Sequence, residues 1–224
     1  MNYSKNKIFG NWDFYKLCIS VAVPVMAQQL IMGMVSLIDN FMVAGLGDTK
    51  MAAVNVANQL NFIYLVLLYT FYGAGGIYMA QNSGADNQEG MQQAFRFKVI
   101  LPFIISVIYM ILMLINPEIF MRLLTQGNYA QKEILESSSK YMKIIAFTFI
   151  PISISGAIGS SYREIGKTHI PLVISVIATA CNTFGNWILI YGNLGAPKLE
   201  ETGAAIATLI ARILEMAIFI IYIK

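Results

Sequence analysis

Six apolar stretches divide the 224-residue chain, at about 16–45, 51–80, 94–115, 140–161, 170–191 and 203–224. Each matches or exceeds the roughly 20 residues that an α-helix needs to cross the hydrocarbon core of a bilayer. No water is available there to satisfy an open N–H or C=O, so spans of this kind are helical. Composition agrees. The chain is 57% hydrophobic and 12% charged, about half the charge of a soluble domain, with a mean hydropathy of +0.63. The expected fold is all-α: a polytopic membrane protein built as a bundle of six transmembrane helices. The net charge of +3 is small and forms no basic patch, which argues against a nucleic-acid partner.

The connecting segments set the organisation. The polar, basic start from Met1 to Lys16 precedes an apolar run too long for a signal-peptide core, with no small-residue cleavage site, so it reads as a retained first span. Gly45 to Lys50 separates the first two spans, and Asn116-Pro117 ends the third, because the residue before proline leaves the helical region. The stretch 117–139 is too polar to span and predicts a short interfacial helix at Glu118–Leu124. Pro151 predicts a kink in the fourth span, and Ser161 to His169 a loop. With the N-terminus inside, Lys5, Lys7, Lys16, Arg96, Lys98, Arg163, Lys167 and Lys224 face the cytoplasm, eight basic residues against six outside. That bias predicts a multi-pass cell-membrane protein with a cytoplasmic N-terminus. Cys18 and Cys181 read as buried free thiols, and His169 as a solvated or capping residue.

Polar residues inside the spans carry the functional signal. Asp39 lies in the first span, where a charged Asp at mid-membrane costs roughly 2.5–3.5 kcal/mol and marks an ion or substrate pathway. Helical spacing places Gln28, Met32, Ser36 and Asp39 on one stripe and Gln29, Gly33 and Asn40 beside it. The second span opens with Asn55, Asn58 and Gln59 and later carries Gly73-Ala-Gly-Gly76, suited either to close helix packing or to a kink lining a pathway. Ser175, Thr179, Asn182 and Asn186 share a face of the fifth span. Their amides can ligate a hard cation, hydrogen-bond a carboxylate, or simply join helices. In the sixth span Gly203, Ala207 and Ala211 have the spacing of close helix contact, and Thr208, Arg212 and Glu215 lie on a neighbouring face. Arg212 and Glu215 read either as a structural ion pair or as charge on the wall of an aqueous cavity. No Ser-His-Asp set, HExxH, phosphate loop or paired-Asp prenyl-phosphate motif occurs, so no enzymatic chemistry is indicated.

Two stretches together resemble the multidrug and toxic compound extrusion (MATE) transporters. One is Asp39-Asn-Phe-Met-Val-Ala-Gly45-Leu-Gly47 followed by Ala52-Ala53, with Pro24 upstream. The other runs through Arg163, Gly166, Lys167, Thr168, Pro171, Asn182, Gly192, Gly195, Pro197 and Gly203-Ala-Ala-Ile-Ala-Thr208. The resemblance implies one six-helix lobe of a two-lobe secondary transporter that works by alternating access. It implies a Na⁺- or H⁺-coupled antiporter that exports cationic and amphipathic drugs, with no cofactor beyond the coupling ion. Asp39 would be the coupling carboxylate and the place where Na⁺ would sit, surrounded by Asn182, Asn186 and Thr208. Gln28, Ser36, Asn55, Gln59 and Thr179 would line the cavity.

Two departures stand out. Relatives often carry Asp four residues after the helix-five Asn, where this chain has Asn186, so a single titrating acid remains and like-charge repulsion is lower. The family is also about twice as long, so the chain is expected to be the N-terminal half of a longer gene, or else a half-size protein that pairs with a second six-helix half. Competing expectations are a lipid-linked precursor flippase of the same superfamily, disfavoured by the lone basic residue deep in a span, and a non-transporting membrane assembly subunit.

Overall fold

The computed structural model describes residues 10–124 and 131–223. Lys5, Lys7 and Lys224, which enter the charge count above, lie outside the described residues. The chain forms α1 (Trp12–Ala44), α2 (Asp48–Gly84), α3 (Gln88–Ile115), α4 (Pro117–Leu124), α5 (Gln131–Ile145), α6 (Phe149–Glu164), α7 (His169–Tyr191) and α8 (Glu200–Ile223). Among the described residues no strand occurs. Among the described residues six helical segments are long and apolar enough to cross a membrane, the fourth being Lys132–Glu164, which joins α5 and α6.

The helices run past the apolar segments at several ends. α2 begins at Asp48, because Gly47 takes φ 104° and turns the chain in only a few residues from α1. α6 continues to Glu164, so Ser161, Arg163 and Glu164 are helical rather than part of a loop. Where Pro151 predicts a kink, a 3₁₀ turn at Ala146–Thr148 joins α5 to α6, and Phe149 N–H donates to Ala146 O. Proline withholds the N–H that would reach back four residues, and the turn tightens just ahead of it.

The core is knotted by tyrosines. Tyr64 of α2 donates to Phe149 O at 2.7 Å and lies 2.8 Å from the Ser106 hydroxyl of α3. Tyr72 donates to Ser153 O at 2.9 Å. Tyr64, Tyr109 and Phe149 cluster with centroids 4.3–5.2 Å apart, Tyr64 stacked on Tyr109 and Phe149 meeting Tyr109 edge to face. One aromatic cluster thus binds α2, α3 and α6, and each buried hydroxyl meets a partner as burial demands.

Lys98 corrects its reading as a flanking cytoplasmic charge. It is fully buried in α3, donating to Ser161 at 3.0 Å and pairing with Glu164. The Gly73–Gly76 run explains how it fits: a Cβ on Gly75 would strike Lys98, and one on Gly76 would strike Glu164. α2 passes through these glycines without a break, so they serve close packing. Cys18 is exposed on α1 rather than buried, and Cys181 is half-buried. α1 presents Leu30, Met34, Leu37 and Phe41 outward, an apolar face suited to lipid.

α7 and α8 pack along each other most extensively, and α1 lies mainly on α7. The small residues explain the approach. A Cβ at Gly203 would fall 2.6 Å from Leu189 O, and one at Gly185 would fall 3.0 Å from the Ala207 methyl. Gly33, by contrast, has open space around it. Gly203→Val is therefore expected to destabilise the bundle by about 1–3 kcal/mol, since the rigid carbonyl cannot yield. Gly33→Ala should leave the melting temperature equal or higher, because glycine costs a helix about 1 kcal/mol relative to alanine. Thermal unfolding of the purified chain in micelles checks both.

Candidate ion and substrate site

Asp39 sits one turn before the end of α1 and faces α7 and α8. Its Oδ1 accepts from Asn186 Nδ2 at 2.8 Å. Asn182, oriented so that its amide nitrogen meets an acceptor, donates to Oδ2 at 2.9 Å and sets its own oxygen 3.2 Å from Thr208 Oγ1. That orientation is assigned from the hydrogen-bond network. The Thr208 hydroxyl also lies 2.9 Å from Ala204 O, one turn back along α8. The four residues expected around the coupling site therefore meet at one point. The i, i+4 spacing of the two amides lets them grip both oxygens of one carboxylate, the reason a charged Asp is tolerated in an apolar bundle. Asn186 is only 2% exposed, and its Oδ1 has no hydrogen-bond partner.

Two adjoining cavities open at this carboxylate. One of about 280 Å³ is lined by Ser36, Asp39, Thr179, Asn182, Thr208 and Arg212 among others. The second, of about 480 Å³, extends towards α2 and is lined by Ser36, Asp39, Asn55, Asn58, Asn61 and Asn186 among others. Ser36, Asn55 and Thr179 thus fall where the sequence places them. Gln59 does not: it is exposed and lines neither cavity. It follows Asn58 by one residue, about 100° round the helix, and so turns away. Asn61, three residues after Asn58, takes the wall position instead, and its Oδ1 is buried without a partner. The spacing Asn55, Asn58, Asn61 is the signal that would have found it.

Gln28 lies lower on α1, in a second polar group. Its Nε2 donates to Ser175 Oγ at 2.8 Å, and Ser175 lies 3.5 Å from Glu215 Oε1. Arg212 donates to Glu215 Oε2 at 2.8 Å. Both readings of Arg212 and Glu215 hold: they are an ion pair, and they stand on a cavity wall. A third cavity of about 140 Å³ lies beyond, lined by Gln28, Ser175, Arg212, Glu215 and Arg163 among others. Among the described residues no cluster of three His, Cys, Asp or Glu gathers to hold a metal. A cation at Asp39 would depend on neutral oxygens from Asn182, Asn186 and Thr208, a donor set that suits a hard, weakly held ion.

Comparison with known proteins identifies the family of the bundle. The MatE family model matches residues 24–188. A probable multidrug resistance protein NorM of Thermotoga maritima is 25% identical over 205 residues, 89% of this chain and 42% of the relative. The corresponding protein of Photorhabdus laumondii is 26% identical over 215 residues, 96% of this chain and 46% of the relative. Among solved structures, a MOP superfamily transporter from Pyrococcus furiosus, described as having a binding pocket of reversed polarity, superposes with a TM-score of 0.81 at 22% identity. It is covered over 93% of this chain and 44% of its own. An outward-facing multidrug resistance MATE family transporter gives the same TM-score and coverage at 22% identity. Likeness at this identity shows the fold. The chain spans less than half the length of the curated relatives it matches. With most of its length matched by the family model and its bundle shared with MATE structures, the chain belongs to the MatE family of multi-pass membrane transporters, which are not enzymes.

Proposed function

We propose that this chain forms the N-terminal lobe of a Na⁺- or H⁺-coupled antiporter that exports cationic and amphipathic drugs, acting with a second six-helix half. One observation carries the reading: a lone carboxylate, Asp39, held by two amide nitrogens at the junction of two cavities. Such an acid has three states. Charged, it is held by the two N–H donors and attracts a cationic solute. Protonated, it loses that attraction and becomes a weaker acceptor. With Na⁺ bound, the amides must turn so that oxygen rather than nitrogen faces the ion, as an amide carries both groups. Asn186 Oδ1, buried and unpartnered, gains a partner by that turn. Either event exchanges ion for substrate and alters the contacts that hold α1 to α7 and α8, which links occupancy to helix arrangement. The relatives named as multidrug resistance proteins support the substrate class.

Ethidium bound to the purified chain in nanodiscs provides the test. Na⁺ or acidification is expected to weaken binding at least tenfold, and Asp39→Asn should abolish that response. A response untouched in Asp39→Asn would remove the residue from coupling. Asn182→Ala and Asn186→Ala each delete one neutral ligand and are expected to raise the Na⁺ needed for half-displacement about tenfold, equivalent to ~1.4 kcal/mol. An unchanged Na⁺ response in both would make the amides interhelical contacts only.

A further inference from the structure

The 140 Å³ cavity has a charge balance opposite to that around Asp39. Arg163, in the last turn of α6, is half-buried on its wall, and its guanidinium makes no hydrogen bond or ion pair among the described residues. Arg212 of α8 stands on the same wall. The acids nearby are already engaged: Glu164 holds Lys98, and Glu215 holds Arg212. Two guanidinium groups, Arg163 and Arg212, therefore line the cavity with one carboxylate, Glu215, and its wall carries a net positive charge. Gln28 and Ser175 add polar groups, and Tyr69 adds a hydroxyl to the same wall. The volume is the room of roughly five water molecules at about 30 Å³ each. That suits a carboxylate or phosphate group and not a whole drug. Guanidinium is the side chain best shaped to take such a group, since its fork matches two oxygens at once.

We propose that Arg163 and Arg212 form an oxyanion-binding subsite in this cavity, taking the carboxylate or phosphate group of an amphipathic molecule. Arg212 also borders both cavities at Asp39, so one molecule with a cationic and an anionic end can reach both. The subsite needs neither Asp39 nor ion coupling, and its test is separate from theirs. Two sources supply the chemistry: a dissolved acidic or zwitterionic solute, or the headgroup of an anionic lipid.

Equilibrium dialysis of labelled benzoate against the purified chain in phosphatidylcholine nanodiscs tests it. Saturable binding is expected, with inorganic phosphate competing and the neutral isostere benzamide failing to compete at tenfold excess. Arg163→Gln should weaken benzoate binding at least tenfold, Arg163→Lys less, and Lys198→Gln at the exposed end of the bundle not at all. Competition by benzamide equal to that by benzoate would overturn the proposal. So would unchanged benzoate binding in an Arg163→Gln protein with the elution profile and melting temperature of the parent. If that variant fails to fold, the phosphate and benzamide competition in the unsubstituted chain decides alone. Repeating the titration in nanodiscs containing phosphatidylglycerol separates the sources. Tenfold weaker benzoate binding there assigns the subsite to a lipid headgroup, and equal binding assigns it to a dissolved solute.

Discussion

Seating one half-buried carboxylate inside an apolar bundle dictates much of this structure. A charged Asp39 left among lipid-like neighbours would be prohibitive, and the two amide donors of α7 make it tolerable. For both amides to reach it, α1 must lie along α7, and α7 must run close to α8 so that Thr208 can meet Asn182. The glycines and alanines at the α7–α8 contact give that closeness. Small residues and polar residues thus answer the same demand from opposite sides: one removes bulk so that the other can bond.

The bundle divides by chemistry. α2, α3 and α6 are joined by tyrosine hydroxyls, stacked rings and the buried Lys98–Glu164 pair. α1, α7 and α8 carry the carboxylate, the amides and the Arg212–Glu215 pair. The 480 and 140 Å³ cavities lie between the two groups, with walls drawn from both, whereas the 280 Å³ cavity is enclosed by α1, α7 and α8 alone. A buried ion pair is a weak source of net stability but a strong penalty against any arrangement that separates its members. Lys98 and Glu164 therefore fix α3 against α6 more than they strengthen the fold.

Much of this was legible in the sequence because helical periodicity is simple. Six apolar runs announce six spanning helices, and a four-residue spacing places Asn182 and Asn186 on one face whatever lies opposite. That Asp39 lies opposite them came from resemblance, because periodicity within a helix says nothing about which helix is its neighbour. Lys98 was misplaced for the same reason. Near the end of an apolar run, a lysine reads as a solvated flank, and only the bare backbone of Gly75 and Gly76 across the gap reveals room for it inside. Arg163 was read as a cytoplasmic loop charge because glycine and lysine after it suggest a loop, whereas α6 holds its helical turn through Glu164. Gln59 was assigned to the wall because it is polar and one turn beyond Asn55, but the wall continues along Asn58 and Asn61.

The unpartnered oxygen of Asn186 changes how the site should be viewed over time. An amide turned with nitrogen towards a carboxylate leaves its oxygen without a hydrogen-bond partner, so the resting arrangement satisfies one pole of the group and not the other. A half-turn about a single side-chain bond reverses which pole is served. The helix need not move for this to happen. On the proposed coupling, the group would act as a two-position rotor where α1 meets α7, its setting recording whether the partner on the other side is an acid alone or an acid with a cation.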